Sequence, residues 1–390
     1  MFTLIKNSEV YAPHYLGKCD VLIADGRIAY IDSEIDFAMG ELIDVVDANG
    51  KILTPGFVDS LVHITGGGGE GGFNTRTPEL DFFDAVNAGV TSMVGALGTD
   101  ATTRTLGDLF GKTQALNADG LNCFMYTGSY EIPVKNISGS LRDDIIFIDP
   151  VIGVGEIAIA DKRGSQPTTH ELARIAADAR VGGLLSGKSG IVMIHTGASE
   201  TYLDILHETC RDYDVGINQF YPTHINRTLS LLQAGAEFTK QGGTIDLTAS
   251  TNDHLIRTGD IPAGEGLAKL LNMGVSPDKI TFSSDAQGSL PHFDANGRLD
   301  GLDIGSISSL HFEMVRAVKD YDITLDKSLA CITRNPAKVL GLKQKGEVKK
   351  GFDADLCLLD RDSLAVNSVM SRGKWLKLNN KIVGKTAFSH

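Results

Sequence analysis

Residues 151–197 read VIGVGEIAIADKRGSQPTTHELARIAADARVGGLLSGKSGIVMIHTG, and they contain the unit from which most of the chain is built. The runs VIGVGEIAI and GIVMIHTG are short and apolar, which is typical of strands that are buried on both faces. Between them, ELARIAADARVGGLL has the three-to-four-residue spacing of apolar positions that indicates an amphipathic helix. This order of strand, helix and strand predicts a βαβ unit with two parallel strands.

Further short apolar runs follow one another through residues 54–344, and helix-like stretches separate them. They are TSMVGAL, LNCFMYTG, INQFYPTH, GTIDLTAS and KITFSSD. At least seven strand–helix units over about 290 residues favour a closed (β/α)₈, TIM-like barrel of the α/β class. An open doubly wound sheet is the alternative that this alternation leaves open.

The two ends of the chain have a different pattern, rich in β-forming residues. Near the N-terminus, CDVLIADGRIAYI predicts a hairpin that turns at Asp25–Gly26, and VVDANGKIL predicts a second hairpin at Asn49–Gly50. Near the C-terminus, SVMSRGKWLKLNNKIVG predicts a turn at Asn379–Asn380. We therefore predict a small β-sandwich domain built from residues 1–53 and 345–390, beside a barrel domain over residues 54–344.

The charge and composition of the chain disfavour several kinds of binding partner. The formal net charge of −13 disfavours non-specific binding to nucleic acid or to anionic lipid. The N-terminus lacks the apolar core of a signal peptide, and no apolar run reaches the about 18 residues of a membrane helix. The five cysteines are dispersed and form no CxxC pair, which is typical of reduced thiols. We expect a cytoplasmic protein with a small-molecule substrate and no membrane or nucleic-acid partner.

Polar residues within or at the ends of the predicted strands are the candidates for chemistry. Glu156 lies within an apolar strand, while His195, His224 and Asp285 end later ones. A single strand-end histidine is more often a hydrogen-bonded core or rim residue than a metal ligand. A buried, unpaired carboxylate is different because burying its charge costs several kcal/mol. Because barrel strands present their carboxyl ends at one face, we expect these residues to converge on a divalent ion such as Zn²⁺.

Several longer motifs match a known family. TPGFVDSLVH, followed by strand-end His, His and Asp residues, resembles the amidohydrolase superfamily. GGGGEGGFNTRTPE, GALGTD, TGSYEIP, PTHINR and FSSDAQGS resemble, within it, the isoaspartyl dipeptidase family, and the resemblance extends to the closing GEVKKGFDADLCLLD. It implies metal-dependent hydrolysis of the isopeptide bond in β-aspartyl dipeptides by an enzyme that forms a homo-oligomer.

The resemblance also implies roles for individual residues. The metal-ligand positions are His63, Glu156, His195, His224 and Asp285. Asp285 would also be the general base, and Tyr130 would bind the scissile carbonyl and stabilise the oxyanion. Glu70 would bind the free α-amino group of the substrate. The substrate carboxylates would be held by Thr99, Arg163, Arg227 and Ser289.

Two departures from the family pattern affect the metal. Leu61 occupies the position at which the first metal motif normally has a histidine, and a leucine side chain cannot coordinate an ion. Close relatives commonly bridge two metals with a carboxylated lysine, but here the aligned residue is Glu156, and Lys162 lies beyond the strand. We therefore predict one tightly bound Zn²⁺ and a second ion that is weakly bound or absent.

The charges of the candidate residues also fit such a substrate. A β-aspartyl dipeptide has one amine and two carboxylates, which Glu70, Arg163 and Arg227 would balance. From the residues alone, both arginines are equally explained by surface ion pairs, and the glycine run at 66–69 by a mobile loop. The alternative functions are an N-acyl amino acid deacylase, a cyclic-amide hydrolase, or a relative that is catalytically impaired because of Leu61. Glu70 argues against the deacylase because its substrates lack a free α-amine.

Overall fold

Eight parallel strands, almost entirely buried, form the centre of the fold. The structure is a computed structural model that describes residues 2–36, 42–293 and 299–389. The central strands are β6 (Phe57–Val62), β7 (Val90–Gly95), β8 (Asn122–Thr127), β9 (Val151–Ile159), β10 (Ile191–Thr196), β11 (Phe220–Thr223), β12 (Ile245–Thr248) and β13 (Ile280–Ser283). Strands β6 to β11 pair in chain order, and β12 pairs with β13.

Backbone hydrogen bonds close these strands into a barrel. Between β11 and β12, the N–H of Ile225 donates to the carbonyl of Asp246 at 3.2 Å. Between β13 and β6, the N–H of Asp285 donates to Leu61, and the N–H of His63 donates to Ala286 at 2.9 Å. The predicted closed barrel is confirmed, and the open sheet is excluded because its two edges are joined.

Helices follow most of the barrel strands. They are α1 (Phe82–Asn87), α2 (Leu106–Asp119), α3 (Leu141–Phe147), α4 (Thr169–Ser186), α5 (Asp204–Asp212), α6 (Leu229–Lys240), α7 (Asp253–Thr258), α8 (Ala263–Asn272), α9 (Ser309–Tyr321), α10 (Leu325–Cys331) and α11 (Arg334–Val339). Helix α4 begins with a capping box between Thr168 and Glu171, and it ends at Gly187 in the left-handed region. An antiparallel pair, β14 (Ser289–Phe293) and β15 (Leu299–Ile304), follows β13.

Both termini contribute strands to one further sheet, which confirms the predicted β-rich unit built from the two ends of the chain. Its strands are β1 (Phe2–Tyr11), β2 (Tyr15–Ala24), β3 (Arg27–Asp32), β4 (Ile43–Asp47), β5 (Ile52–Pro55), β16 (Leu356–Leu359), β17 (Val366–Ser371), β18 (Lys374–Leu378) and β19 (Lys381–Ile382). The order is β19-β18-β17-β16-β5-β1-β2-β3, with β4 also paired to β1. Strand β5 joins the two ends because it pairs with β1 on one side and with β16 on the other. The domain limits at 53/54 and 344/345 stay predictions.

The turns of this sheet confirm two sequence expectations and correct a third. Hairpins turn at Asp25–Gly26 and at Asn379–Asn380. The hairpin expected at Asn49–Gly50 is wrong, since β4 and β5 both run parallel to β1 and do not pair with each other. Backbone N–H groups of Ala48 and Gly50 donate to carbonyls of Lys6 and Asn7 on β1. The left-handed turn therefore does not reverse the chain. It carries the chain from β4, which pairs with the first half of β1, to β5, which pairs with the second half.

The connection from α4 to β10 has the sequence pattern of a phosphate-binding loop but not its geometry. Residues 182–189 read GGLLSGKS, but they join the C-terminal end of α4 to β10. A phosphate-binding loop joins a strand to the N-terminus of a helix, where free N–H groups face the anion. The ammonium group of Lys188 donates to the carbonyls of Ile145 and Ile148 at the end of α3. This lysine therefore caps a helix.

A buried carboxylate, Asp246 on β12, organises the inside of the barrel. Five hydroxyl groups donate to it, with oxygen–oxygen distances of 2.5–3.4 Å, from Ser60, Tyr221, Thr223, Thr281 and Ser283. Burial outweighs these hydrogen bonds and raises the pKa of Asp246 to about 6. The unfolded carboxyl group has its pKa near 3.8, so the native chain retains a proton that the unfolded chain releases above that pH.

Replacing Asp246 with Asn should therefore flatten the pH dependence of stability. The contribution of Asp246 to the free energy of unfolding should fall by about 3 kcal/mol between pH 4 and pH 7, at 1.36 kcal/mol for each pKa unit. Urea unfolding of both proteins in the presence of a chelator measures this difference. Glu237→Gln, which removes an exposed carboxylate on α6, is the control. The difference in free energy of unfolding between this variant and the wild type should be the same at pH 4 and at pH 7. A constant difference for D246N as well would contradict the assignment.

Candidate active site

The carboxyl ends of the barrel strands bring the predicted site residues into one cavity of about 500 Å³. Ten of them line it, namely His63, Glu70, Thr99, Tyr130, Arg163, His195, His224, Arg227, Asp285 and Ser289. The eleventh, Glu156, is fully buried within β9. The structure thus brings together every residue that the sequence singled out, although they span more than half of the chain.

Glu156 lies among three imidazole groups. Its Oε2 atom is 3.5 Å from Nδ1 of His195 and 3.5 Å from Nε2 of His224, and its Oε1 atom is 3.5 Å from Nε2 of His63. These distances are too long for good hydrogen bonds. Among the described residues, neither oxygen of Glu156 has a hydrogen-bond partner.

This arrangement fits a divalent cation. Burial raises the pKa of Glu156, but the contacts with His195 and His224 and the charge of His63 outweigh it and hold the pKa below its usual range. The carboxylate is therefore an anion in a dry environment, where an uncompensated charge is costly. Glu156, His195 and His224 each offer a ligand atom, and these atoms lie within 4.8 Å of one another. One carboxylate and two imidazoles are donors that Zn²⁺ accepts.

His224 is held in the form that a metal ligand needs. Burial and the positive charge of Arg227 lower the pKa of His224 to about 4, so the ring is neutral at pH 7. Its Nδ1 atom contacts the hydroxyl group of Thr248 at 2.5 Å, which leaves Nε2 directed towards Glu156. The residue has a left-handed backbone (φ 61°), an unusual conformation for histidine.

His63 and Asp285 form a second pair on the other side of Glu156. Nε2 of His63 is 3.1 Å from Oδ1 of Asp285. Burial lowers the pKa of His63, but the contact of its Nε2 with the Asp285 carboxylate and the charges of Asp285 and Glu156 raise it to about 9. Leu61 is fully buried in an apolar cluster and adds no donor. Among the residues that the structure describes, His63 and Asp285 are therefore the two candidate ligands next to Glu156 on this side.

On the solvent side, Glu70 is surrounded by a cation and two hydroxyl groups. Its carboxylate lies 3.2 Å from Nη1 of Arg163 and 3.3 Å from the hydroxyls of Thr99 and Ser289. The four residues come from separate parts of the chain, which the barrel brings together. Arg163 thus forms an ion pair with another of the predicted site residues.

Tyr130 and Arg227 contact His195 from the same cavity. The Tyr130 hydroxyl lies 2.5 Å from Nδ1 of His195, and Nη1 of Arg227 lies 3.5 Å from Nε2. Tyr130 is 6% exposed, so the residue is buried in the cavity wall. Burial raises the pKa of Tyr130 well above its usual value. The phenol therefore keeps its proton and is a hydrogen-bond donor.

The glycine-rich loop is held in place by Arg104, a residue that the sequence analysis did not single out. The buried guanidinium group of Arg104 donates to the carbonyls of Thr65, Gly67 and Thr77. Gly66 has a left-handed backbone, and a Cβ atom there would lie 2.4 Å from the Thr77 carbonyl. The loop is therefore a fixed wall of the cavity, and no feature of the sequence around Arg104 indicated this role.

Asp161 and Thr248 were also missed as parts of the site. Asp161 contacts both His195 and Arg163, and Thr248 contacts His224. Asp161 follows the strand that bears Glu156, so the sequence indicated its position at the end of that strand. The sequence did not indicate its contacts with His195 and Arg163. A threonine such as Thr248 carries no signal of its own, because hydroxyl residues are common at strand ends.

Comparison with known proteins identifies the family. Residues 223–377 match the Amidohydrolase family. The solved β-aspartyl dipeptidase of Fervidobacterium islandicum AW-1, in complex with β-Asp-Leu, is 42% identical over the whole of both chains, with a TM-score of 0.92. A second structure of the enzyme from that organism is 40% identical, again over both whole chains, with a TM-score of 0.90. The chain belongs to the β-aspartyl dipeptidase family of the amidohydrolases.

Membership of this family makes the protein a hydrolytic enzyme of the dipeptidase type, as the sequence motifs predicted. A more distant relative, the dihydroorotase of Lactobacillus gasseri, is 24% identical over 92% of this chain and 89% of its own length. Among the described residues, no helix combines the length and apolarity needed to cross a bilayer.

Replacing Glu156 with Gln should abolish stabilisation by Zn²⁺. At a free ion concentration 100 times the dissociation constant, the wild-type protein should gain about 2.7 kcal/mol of stability. With a chelator present, E156Q should be at least as stable as the wild type, because an uncompensated buried charge has been removed. Thermal unfolding with and without Zn²⁺ measures both effects. Asp260→Asn, which neutralises another carboxylate of the cavity, should keep the Zn²⁺ shift; an equal shift in E156Q would contradict a cation site at Glu156.

Proposed function

We propose that this enzyme hydrolyses the β-aspartyl isopeptide bond of β-aspartyl dipeptides in a metal-dependent reaction. The observation that carries the proposal is the charge pattern of one cavity. Glu70 contacts Arg163 at 3.2 Å, and Arg227 lines the same cavity beside the buried Glu156 cluster. That pattern complements a substrate with one ammonium and two carboxylate groups. The F. islandicum relative, which was solved with β-Asp-Leu, supports the same substrate class.

The residues present fit one Zn²⁺ ion better than two. Glu156, His195 and His224 would hold the first ion, and His63 and Asp285 would complete its surroundings. A bound Zn²⁺ supplies Lewis acidity for the attack of water on the amide carbonyl. A second site would have only His63, Asp285 and a share of Glu156, because Leu61 occupies the place of a ligand.

Substrate binding would use the groups that pair with one another in the structure. Glu70 would accept hydrogen bonds from the α-ammonium group and exchange its contact with Arg163 for this cation. Arg163 and Arg227, with the hydroxyls of Thr99 and Ser289, would bind the two carboxylates. A guanidinium group suits this task because its planar fork donates two parallel hydrogen bonds to a carboxylate.

Asp285 and Tyr130 would carry out the proton transfer and the charge stabilisation. The pKa of Asp285 is raised by burial but lowered more strongly by the hydrogen bond with His63, so the carboxylate is ionised. It would accept a proton from the attacking water and deliver it to the leaving amine. The Tyr130 hydroxyl would leave His195 and donate to the oxyanion that develops on the scissile carbonyl.

The alternative functions have weaker support. An N-acyl amino acid offers no ammonium group to Glu70, and a cyclic amide has no use for two arginines and an acid around one cavity. The absence of a histidine at Leu61 would weaken metal binding only on the side of Glu156 that faces His63 and Asp285. The homo-oligomer and the cytoplasmic location stay predictions.

A substrate panel tests the proposal. Protein supplied with Zn²⁺ should cleave β-Asp-Leu and should leave α-Asp-Leu, N-acetyl-leucine and dihydroorotate unchanged, as measured by amine release or by chromatography. Preferred cleavage of any of the other three compounds would overturn the proposed substrate class. No cleavage of any compound by metal-loaded protein would favour an impaired relative.

Tyr130→Phe and Arg227→Ala should affect different kinetic constants. Loss of one oxyanion donor should reduce kcat by about 10² to 10³ with little change in KM. Loss of a carboxylate-binding arginine should mainly raise KM, by about tenfold or more, because it removes 1.5–3 kcal/mol of charge-assisted hydrogen bonding. Tyr213→Phe, in a partly exposed tyrosine beside His170, is the control. Wild-type constants in both site variants would remove these roles.

Elemental analysis should find one equivalent of Zn²⁺ per chain in protein purified without chelator. Leu61→His adds an imidazole two residues before His63, on the same side of the chain, and should raise the content towards two equivalents. Leu61→Met keeps an apolar side chain of similar volume and should leave it at one. Two full equivalents in the wild-type protein would show that Leu61 does not weaken the second site.

A further inference from the structure

Asp161 follows β9, the strand that bears Glu156, and its backbone is firmly held. Ala160 before it has a left-handed conformation (φ 51°), which turns the chain at the end of the strand. The carbonyl of Asp161 accepts hydrogen bonds from the side chain of Gln166 at 2.8 Å and from the N–H of Gly164 at 3.1 Å. Its side chain is only 10% exposed. The carboxylate is therefore presented from a rigid support.

Both oxygens of this carboxylate are used. Oδ1 accepts from the backbone N–H of Arg163 at 2.8 Å and from its Nε at 3.1 Å. Oδ2 lies 2.8 Å from Nη2 of Arg163, 3.0 Å from Nε2 of His195 and 3.9 Å from Nη1 of Arg227. One carboxylate thus contacts an imidazole predicted to bind metal and the two guanidinium groups, of Arg163 and Arg227, predicted to bind substrate.

The contact with His195 selects the tautomer of its ring. An ionised carboxylate only accepts hydrogen bonds, so at 3.0 Å the Nε2 atom must carry the proton. The Nδ1 atom then has a lone pair, which accepts a hydrogen bond from the Tyr130 hydroxyl at 2.5 Å, and this atom lies 3.5 Å from Glu156. A second carboxylate that orients a ligand histidine in this way is common around metal ions.

The contact with Arg163 fixes the direction of its guanidinium group. Nε and Nη2 are both bound to Asp161, which leaves Nη1 to reach Glu70 at 3.2 Å. Arg227 approaches the same Oδ2 atom from another loop. The negative charge between the two arginines offsets their mutual repulsion and allows both to remain in one small cavity.

We propose that Asp161 is a positioning residue that couples the two halves of the site, the imidazole that would bind metal and the guanidinium groups that would bind substrate carboxylates. The substrate half of this inference rests on the proposed function, whereas the metal half does not. Asn in place of Asp161 has nearly the same shape but offers one acceptor oxygen and one donor amide. With its oxygen towards His195, its amide group faces the backbone N–H and Nε of Arg163; in the opposite orientation, the amide group faces His195 and Nη2 of Arg163. Either orientation loses the hydrogen bonds on one side of the carboxylate.

The test compares Asp161→Asn with Asp260→Asn in the full-length protein. Zn²⁺ affinity is measured by competition with a chromophoric chelator, and kcat and KM are measured with β-Asp-Leu. D161N should weaken Zn²⁺ binding by about 10- to 100-fold and should also raise KM by about tenfold or more, from the loss of charge-assisted bonds. D260N removes the same charge from the same cavity, but Asp260 makes no ion pair with either arginine within 4 Å and no hydrogen bond to His195 among the described contacts. It should leave Zn²⁺ affinity unchanged, with KM unchanged or lower.

The variant Arg163→Met tests substrate binding separately from metal binding. It leaves Asp161 beside His195, so KM should rise while the Zn²⁺ dissociation constant stays within about threefold. For folded D161N, values of Zn²⁺ affinity and KM that both stay within twofold of the wild type would overturn the proposal. A change in only one of the two would overturn the coupling, and a lower KM, as in D260N, would show that only net charge matters.

A measurement on the wild-type chain keeps the proposal testable if D161N does not fold. Nuclear magnetic resonance of protein labelled with ¹⁵N-histidine should show His195 protonated at Nε2 in the metal-free state, with the signal assigned from a His195→Asn variant. Protonation at Nδ1 instead would overturn the role of Asp161. If the wild-type protein does not cleave β-Asp-Leu, the proposed function is wrong. The tautomer of His195 and the Zn²⁺ affinity of D161N still test whether Asp161 orients the metal-binding histidine.

Discussion

The arrangement of this site depends on one buried charge. Glu156 has no exposed surface, and among the described residues neither of its oxygens has a hydrogen-bond partner. Such a group is expensive unless it is neutralised or paired. The three imidazoles around it are too distant for good hydrogen bonds, but they are placed as ligands around a shared ion. A cation is therefore the partner that would explain why an apolar strand contains this residue.

Asp246 provides a comparison within the same barrel. It is as deeply buried as Glu156, but five hydroxyl groups donate to it, and its pKa is raised. Its environment suits a carboxyl group that takes up a proton as the pH falls. Glu156 has imidazoles in place of hydroxyls, and its pKa is lowered. Burial is common to both residues, so the kind of neighbour distinguishes a structural carboxyl group from a cation site.

The cavity above Glu156 is organised by ions of alternating sign. Glu70 contacts Arg163, Arg163 contacts Asp161, and Asp161 contacts His195, which in turn faces Glu156. This chain of contacts joins the surface to the barrel interior. Arg104 holds the wall opposite it through three backbone carbonyls. These contacts fix the positions of the charged groups that line the cavity.

The sequence by itself determined the barrel and the β-rich unit from both termini, and its resemblance to a known family named ten of the residues that line the cavity. It could do so because buried parallel strands are continuous apolar runs, and because Glu156 interrupts one of them. The tertiary structure alone decided that Asn49–Gly50 makes a step along β1, since a left-handed turn does not specify which strand its N–H groups will bind. It alone also showed that Asp161, Thr248 and Arg104 belong to the site. Their roles depend on partners far away in the sequence, and only the closed barrel brings those partners within hydrogen-bond distance.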